Sequence, residues 1–301
     1  MERLTDISAV RELLSRHGFT FSKALGQNFL VNPSVCPRMA DAAVQSRATD
    51  APIGVIEIGP GIGVLTKELL LRADRVVTVE LDRRLLPVLD ETLGDFDNLK
   101  VVNADVLALD LHRLIADELG GREVVVCANL PYYITSPVIM KLLEDRLPIN
   151  SITVMVQKEA AVRLCAEPGT RDSSAITAAV HYYCDPKLLF HVSAGSFLPA
   201  PKVDSAVIQL RLREPAVHPE HEETFFRVIK GAFAQRRKTV LNSLSSSLSL
   251  DKNAVRDILK AAGVDESARA ERLTLGDFAR ISDAVDLHQR AESPLHPSTE
   301  E

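Results

Sequence analysis

The chain has 301 residues, 35 lysines and arginines against 41 aspartates and glutamates, and a formal net charge of −6. Its 46% hydrophobic and 25% charged fractions are those of a globular protein with one large domain or two. These figures exclude a surface that attracts nucleic acid or anionic lipid over its whole extent, and no apolar run approaches the ~18 residues of a membrane span.

Ile53–Ile58 is a short apolar run that ends at Gly59 and reads as a buried strand; Val64–Arg72 then has helical spacing. Arg75–Glu80 is the next strand, followed by a helix over Arg83–Leu93 and strands at Leu99–Asn103 and Glu123–Ala128. A helix at Ser136–Glu144 precedes a strand at Ser151–Gln157. Apolar strands separated by helices indicate an α/β fold with a parallel sheet covered on both faces. Lys187–Val192 and Ser205–Leu212 are strands with only a Pro-rich stretch between them, as expected of an antiparallel pair at the sheet edge. Residues 1–213 are thus read as one domain. Glu214–His221, polar with two prolines, is a linker. A small all-α domain, 222–288, follows with helices at Glu222–Leu244, Lys252–Ala262 and Leu275–Leu287, and the polar residues 289–301 are expected to be a mobile tail.

Cys36, Cys127, Cys165 and Cys184 are scattered, with no Cys-x-x-Cys pair, and the first residues lack the pattern of a secretory signal. A reduced cytoplasmic protein without structural zinc is expected. The eight histidines show no ligand spacing, and His17, His181 and His191 read as packing or surface residues.

Glu57-Ile-Gly59-Pro-Gly61-Ile-Gly63 follows a strand and opens a helix, where glycines let backbone approach a ligand closely. A dinucleotide fingerprint needs glycine at the sixth position, which here is Val64. Glu80, at the end of the second strand, can accept hydrogen bonds from both hydroxyls of a ribose. Asp105, after the third, offers an acceptor to an adenine amino group. Gly, Glu and Asp at successive strand ends point to an adenosine ligand without a pyrophosphate, a description that S-adenosylmethionine fits.

Asn129-Leu-Pro131-Tyr132-Tyr133 stands at the end of the fourth strand. The exocyclic amine of a base is a poor nucleophile because its lone pair is delocalised into the ring. The Asn129 side-chain oxygen and the backbone carbonyl of Leu130 or Pro131 could accept its two N–H bonds and turn the lone pair toward a sulfonium methyl. Tyr132 offers a stacking face to an extruded base. No strong base is needed, so the work is positioning and electrostatics.

These two motifs, with Leu25-Gly-Gln-Asn-Phe-Leu30, Phe197-Leu-Pro-Ala-Pro-Lys-Val-Asp-Ser205 and the stretch from Gly231 to Thr239, resemble the ribosomal RNA adenine dimethyltransferases. The likeness runs from about Phe21 to about Leu287, and among them the bacterial small-subunit type is the most similar. It implies a Rossmann-like class I S-adenosylmethionine-dependent methyltransferase domain with a small all-α C-terminal domain. By the same resemblance, cofactor contacts fall to Asn28, Leu30, Gly59, Glu80, Asp105 and Asn129. Asn129 and Tyr132 would hold the target adenine, with Phe197 as a second stacking face. The implied substrate is two adjacent adenosines, each dimethylated at N6, in a hairpin loop near the 3′ end of 16S rRNA. The implied setting is a partly assembled small ribosomal subunit, with a monomeric enzyme that uses neither metal nor membrane. The large-subunit dimethylases share the loop and the chemistry, so the cofactor residues do not separate the two types.

From Thr224 to Leu250 there is no acidic residue, while Arg227, Lys230, Arg236, Arg237 and Lys238 contribute +5. The rest of the chain therefore sums to −11. Arg236, Arg237 and Lys238 are candidate RNA-phosphate contacts. Phe225, Phe226 and Phe233 recur at apolar helix-face spacing and are expected in the core.

Overall fold

The apolar run Ile53–Ile58 is a strand buried along its whole length. It belongs to a seven-stranded sheet within the first of two units, made of residues 1–165 and 185–212. The computed structural model describes residues 4–20, 27–235 and 237–292. In chain order this unit holds α1 (Ile7–Arg16), β1 (Phe29–Leu30), α2 (Val35–Val44), β2 (Ile53–Ile58), α3 (Val64–Leu70), β3 (Arg75–Glu80) and α4 (Leu86–Leu93). Then come β4 (Leu99–Asn103), α5 (Leu111–Leu119), β5 (Glu123–Asn129), α6 (Thr135–Glu144), β6 (Ser151–Gln157) and α7 (Lys158–Cys165). The second unit contributes α8 (Ala175–Tyr183), after which the chain returns to the first for β7 (Cys184–Val192), β8 (Phe197–Leu198) and β9 (Ser205–Leu212).

The strand order is β4-β3-β2-β5-β6-β9-β7. All pairs from β4 to β6 are parallel, and β9 runs antiparallel to β6 with Ser205 opposite Gln157. β7 lies beyond β9 at the edge, where Asp185, Pro186 and Lys187 discourage pairing with another chain. The chain leaves β2 outward through β3 and β4, then returns to place β5 on the other side of β2. That reversal opens a crevice at the carboxyl ends of β2 and β5, where α/β sheets bind ligands. A core of Val55, Leu69, Val76, Val125 and Val207 with Met39 and Ala43 of α2 holds one side of the sheet. α1, α2, α5, α7 and α8 lie outside the helices that apolar periodicity predicts. Asp6 caps α1 by accepting from the Ser8 and Ala9 amides, and Asp110 likewise caps α5.

The second unit comprises residues 166–184 and 213 onward. Its later helices are α9 (Glu222–Phe233), α10 (Val240–Leu248), α11 (Lys252–Ala261) and α12 (Leu275–Glu292). Three expectations need correction. The boundary at 213 misplaces residues 166–184, because α8 ends in Tyr182 and Tyr183, whose rings pack on Phe225 and Phe226 at 5.1 and 5.7 Å between centroids. The segment after 213 is fastened to the same helix, since the Arg213 and Ala216 amides donate to the Tyr183 and Tyr182 carbonyls. The single helix expected over Glu222–Leu244 is two, separated by a turn, and α10 starts at the Thr239 cap. Finally, α12 runs on to Glu292, so residues 289–292 are helix rather than tail; residues 293–301 lie outside the described ones. Phe225 is fully buried and Phe233 packs against Phe278. Among the described residues no helix is long and apolar enough to cross a membrane.

Candidate active site

A cavity of about 1170 Å³, open mouth included, lies at the carboxyl ends of β2, β3 and β5. The turn after β2 supplies its glycines: Gly59, Gly61 and Gly63 all hold positive φ, at 69°, 60° and 90°. Side chains rarely adopt that backbone. A Cβ on Gly59 would meet no protein atom within 4 Å, so the backbone there stands open to the cavity.

Glu80 closes β3. It is buried, and its Oε1 accepts the Asp82 amide at 2.7 Å. Burial raises its pKa, and backbone amides of Asp82, Gly61 and Leu81 oppose that rise. Asp82 is in turn held by Arg84 and by the Gln27 amide at 2.8 Å, with the Arg84 guanidinium keeping it below the usual carboxylate range. Asp105 lines the cavity after β4, and its Oδ1 accepts the Leu107 amide.

Asn129 ends β5 opposite Met155 of β6. In the turn that follows, the Pro131 carbonyl accepts from the Ile134 amide at 3.1 Å and from the Thr135 hydroxyl. Tyr132 is half-buried, with its hydroxyl 2.7 Å from Ser205 Oγ, and Tyr133 is exposed.

Asn28 and Leu30 reach the same cavity by a route the local sequence does not reveal. β1 pairs with β8 so that Leu30 faces Phe197 and Phe29 faces Leu198. The Val31 amide and the Asn32 side chain both donate to Ser196, which fastens the N-terminal segment beside Phe197. Phe197 itself is buried within the core cluster and lines the cavity. The expected residues Asn28, Leu30, Gly59, Glu80, Asp105, Asn129, Tyr132 and Phe197 thus all line one cavity. Arg237 and Lys238 are exposed in the turn between α9 and α10 of the second unit, while Arg236 lies outside the described residues.

Sequence reasoning assigned no role to Glu57, which is buried at the floor of this cavity. Its pKa is pushed up to about 8, first by burial and then by the charge of Glu80, with the Thr66 hydroxyl opposing. Its Oε2 has no hydrogen-bond partner among the described residues. The signal was a single acid in an otherwise apolar strand. Burial also holds the neighbouring Cys36 and Cys127 thiols well above their ordinary pKa, so they serve as small apolar groups.

The described lining carries three acidic side chains, Glu57, Glu80 and Asp105, of which Glu57 keeps its proton up to about pH 8, and no lysine, arginine or histidine. Such a cavity repels phosphates and suits a ligand that bears positive charge and a ribose. S-Adenosylmethionine meets both requirements through its sulfonium, its ammonium and its ribose diol.

The family model for ribosomal RNA adenine dimethylase matches residues 18–287. The ribosomal RNA small subunit methyltransferase A of Alkaliphilus metalliredigens is 45% identical over 96% of this chain and its own full length. That of Geobacillus thermodenitrificans is 48% identical over 91% of this chain and 94% of its own. Among solved structures, a dimethyladenosine transferase from Plasmodium falciparum superposes with a TM-score of 0.67 at 26% identity, covering 87% of this chain and 98% of that one. The 23S rRNA methyltransferase ErmE does so with a TM-score of 0.63 at 29% identity, covering 86% and 100%. On these grounds the chain belongs to the ribosomal RNA adenine dimethylase family, enzymes that draw their methyl groups from S-adenosylmethionine.

Proposed function

We propose that this protein dimethylates N6 of two adjacent adenosines in a hairpin loop near the 3′ end of 16S rRNA. It would act as a cytoplasmic monomer on a precursor of the small ribosomal subunit. The observation that carries the reading is the position of Asn129: it ends β5 at the acidic cavity, with Tyr132 of the same turn lining that cavity three residues on.

When bound, S-adenosylmethionine supplies an electrophilic methyl group on its sulfonium. Glu80 accepts the ribose hydroxyls, Asp105 the adenine amine, and Gly59, Asn28 and Leu30 bring backbone or short side chains against the ligand. Asn129 Oδ1 accepts one N–H of the target amine. Of the two carbonyls that could accept the other, Pro131's is already engaged by Ile134 and Thr135, which leaves Leu130's. The two acceptors draw the nitrogen lone pair out of conjugation and aim it into the cavity. Tyr132 and Phe197 enclose the extruded base. Arg236, Arg237 and Lys238 grip phosphates, which supply affinity without reading sequence.

The small-subunit substrate is favoured over the large because relatives named for the small subunit are 45–48% identical, against 29% for the 23S enzyme. The test is Asn129→Ala, assayed for dimethyladenosine by mass spectrometry of 16S rRNA. Activity should fall about 100-fold or more while the thermal unfolding midpoint stays put. A wild-type rate would remove the amine contact.

A further inference from the structure

Tyr132 sits on a short turn, and a tyrosine ring on such a turn is free to swing about χ1 and tilt about χ2, whose energy well is broad. A base stacks well on it only in one plane. The structure restrains that plane at the far end of the ring: the Tyr132 hydroxyl lies 2.7 Å from Ser205 Oγ.

Ser205 is itself held in the sheet. It is fully buried as the first residue of β9, in register with Gln157 of β6. The preceding residue is pinned twice, since the Asp204 carbonyl accepts the Lys158 amide and its Oδ1 accepts the Ala194 amide, at 3.0 and 2.9 Å. The segment that ends at Ser205 begins at Phe197, which is fixed by its pairing with Leu30. One stretch of nine residues therefore carries Phe197 at one end and, at the other, the atom that holds Tyr132.

We propose that Ser205 is a positioning residue for the target base, fixing the Tyr132 ring plane through the Oγ–OH hydrogen bond and so setting its distance from Phe197. The inference rests on the reading above that Tyr132 stacks on the target adenine. Ser205 touches no substrate; it acts only through Tyr132.

The test is a double-mutant cycle on kcat/KM for methylation of 16S rRNA in immature small subunits, with Tyr132→Ala as a reference. Ser205→Ala and Tyr132→Phe should each lower kcat/KM roughly 3- to 10-fold, the span of one oriented neutral hydrogen bond. The double variant should be no worse than either single one. Affinity for S-adenosylmethionine, by calorimetric titration, should be unchanged in all three. Additive losses, or a wild-type rate for Ser205→Ala, overturn the inference when Tyr132→Ala is inactive. If Tyr132→Ala keeps full activity, the stacking reading itself fails. Should Ser205→Ala not fold, Tyr132→Phe decides alone, since it removes the same bond from the half-exposed side: a wild-type kcat/KM then overturns the inference.

Discussion

Glu57 is an acid in the middle of a sheet, and its ionisation is set by what surrounds it. Desolvation is the dominant cause of its rise to about 8 from an ordinary 4.5. Between those two values the folded chain holds a proton that the unfolded chain has released. Folding stability therefore declines as pH climbs from about 4.5 to 8, by up to about 1.4 kcal/mol per pH unit. Glu57→Gln, neutral at every pH, should flatten that decline. Denaturant titrations of both proteins at pH 5, 6.5 and 8 check the difference: a slope shared by the two assigns the decline to other groups. The same burial that raises the pKa leaves Oε2 without a hydrogen-bond partner among the described residues, so this residue costs stability at the floor of the cavity.

At the scale of elements, the break between α9 and α10 matters more than either helix alone. Their sequence reads as one apolar helix face, yet α9 ends at Phe233, α10 begins at Val240, and the two helices pack against each other. Gly231 makes that approach feasible, because a Cβ there would collide with the Ser247 hydroxyl and crowd its Cβ. Gly231→Val should destabilise the protein by about 2 kcal/mol through overpacking, read as a lowered denaturation midpoint. An unchanged midpoint would mean that α10 can yield. Placing a turn inside the acid-free stretch also changes what Arg237 and Lys238 are: exposed residues of a loop rather than of a helix face. At the other end of the chain, a two-residue pairing of β1 with β8 has an effect out of proportion to its length, since it carries Asn28 and Leu30 to the cavity.

For the whole molecule, charge is the property that most needs resolving by segment. A net −6 is −11 outside the acid-free stretch and +5 within it. On the proposed reading, an acidic body would discourage indiscriminate contact with RNA, and the basic stretch would supply local attraction. Changing Arg236, Arg237 and Lys238 together to Ala should weaken RNA binding and lower the slope of log K against log salt by about one unit per lost phosphate contact. Binding isotherms over a range of salt concentrations measure it. A slope equal to that of the wild type would make the stretch an ordinary solvated surface.

By itself the sequence determined the parallel sheet, the glycine turn, the acids at strand ends and the Asn129–Tyr132 turn. These depend on apolar periodicity and on residues a few positions apart, so their chemistry is written locally. Three features were decided only in the folded chain. Leu30 meets Phe197 across more than 160 residues, and no local pattern encodes that pairing. The helix Ala175–Tyr183 joins the second unit because its tyrosines fit Phe225 and Phe226, a match of surfaces invisible to periodicity. Glu57 and Ser205 take their character from burial and from a partner brought in by another strand. Position along a strand is a one-dimensional property; desolvation and hydrogen-bond partnership are three-dimensional, and only the tertiary structure supplies them.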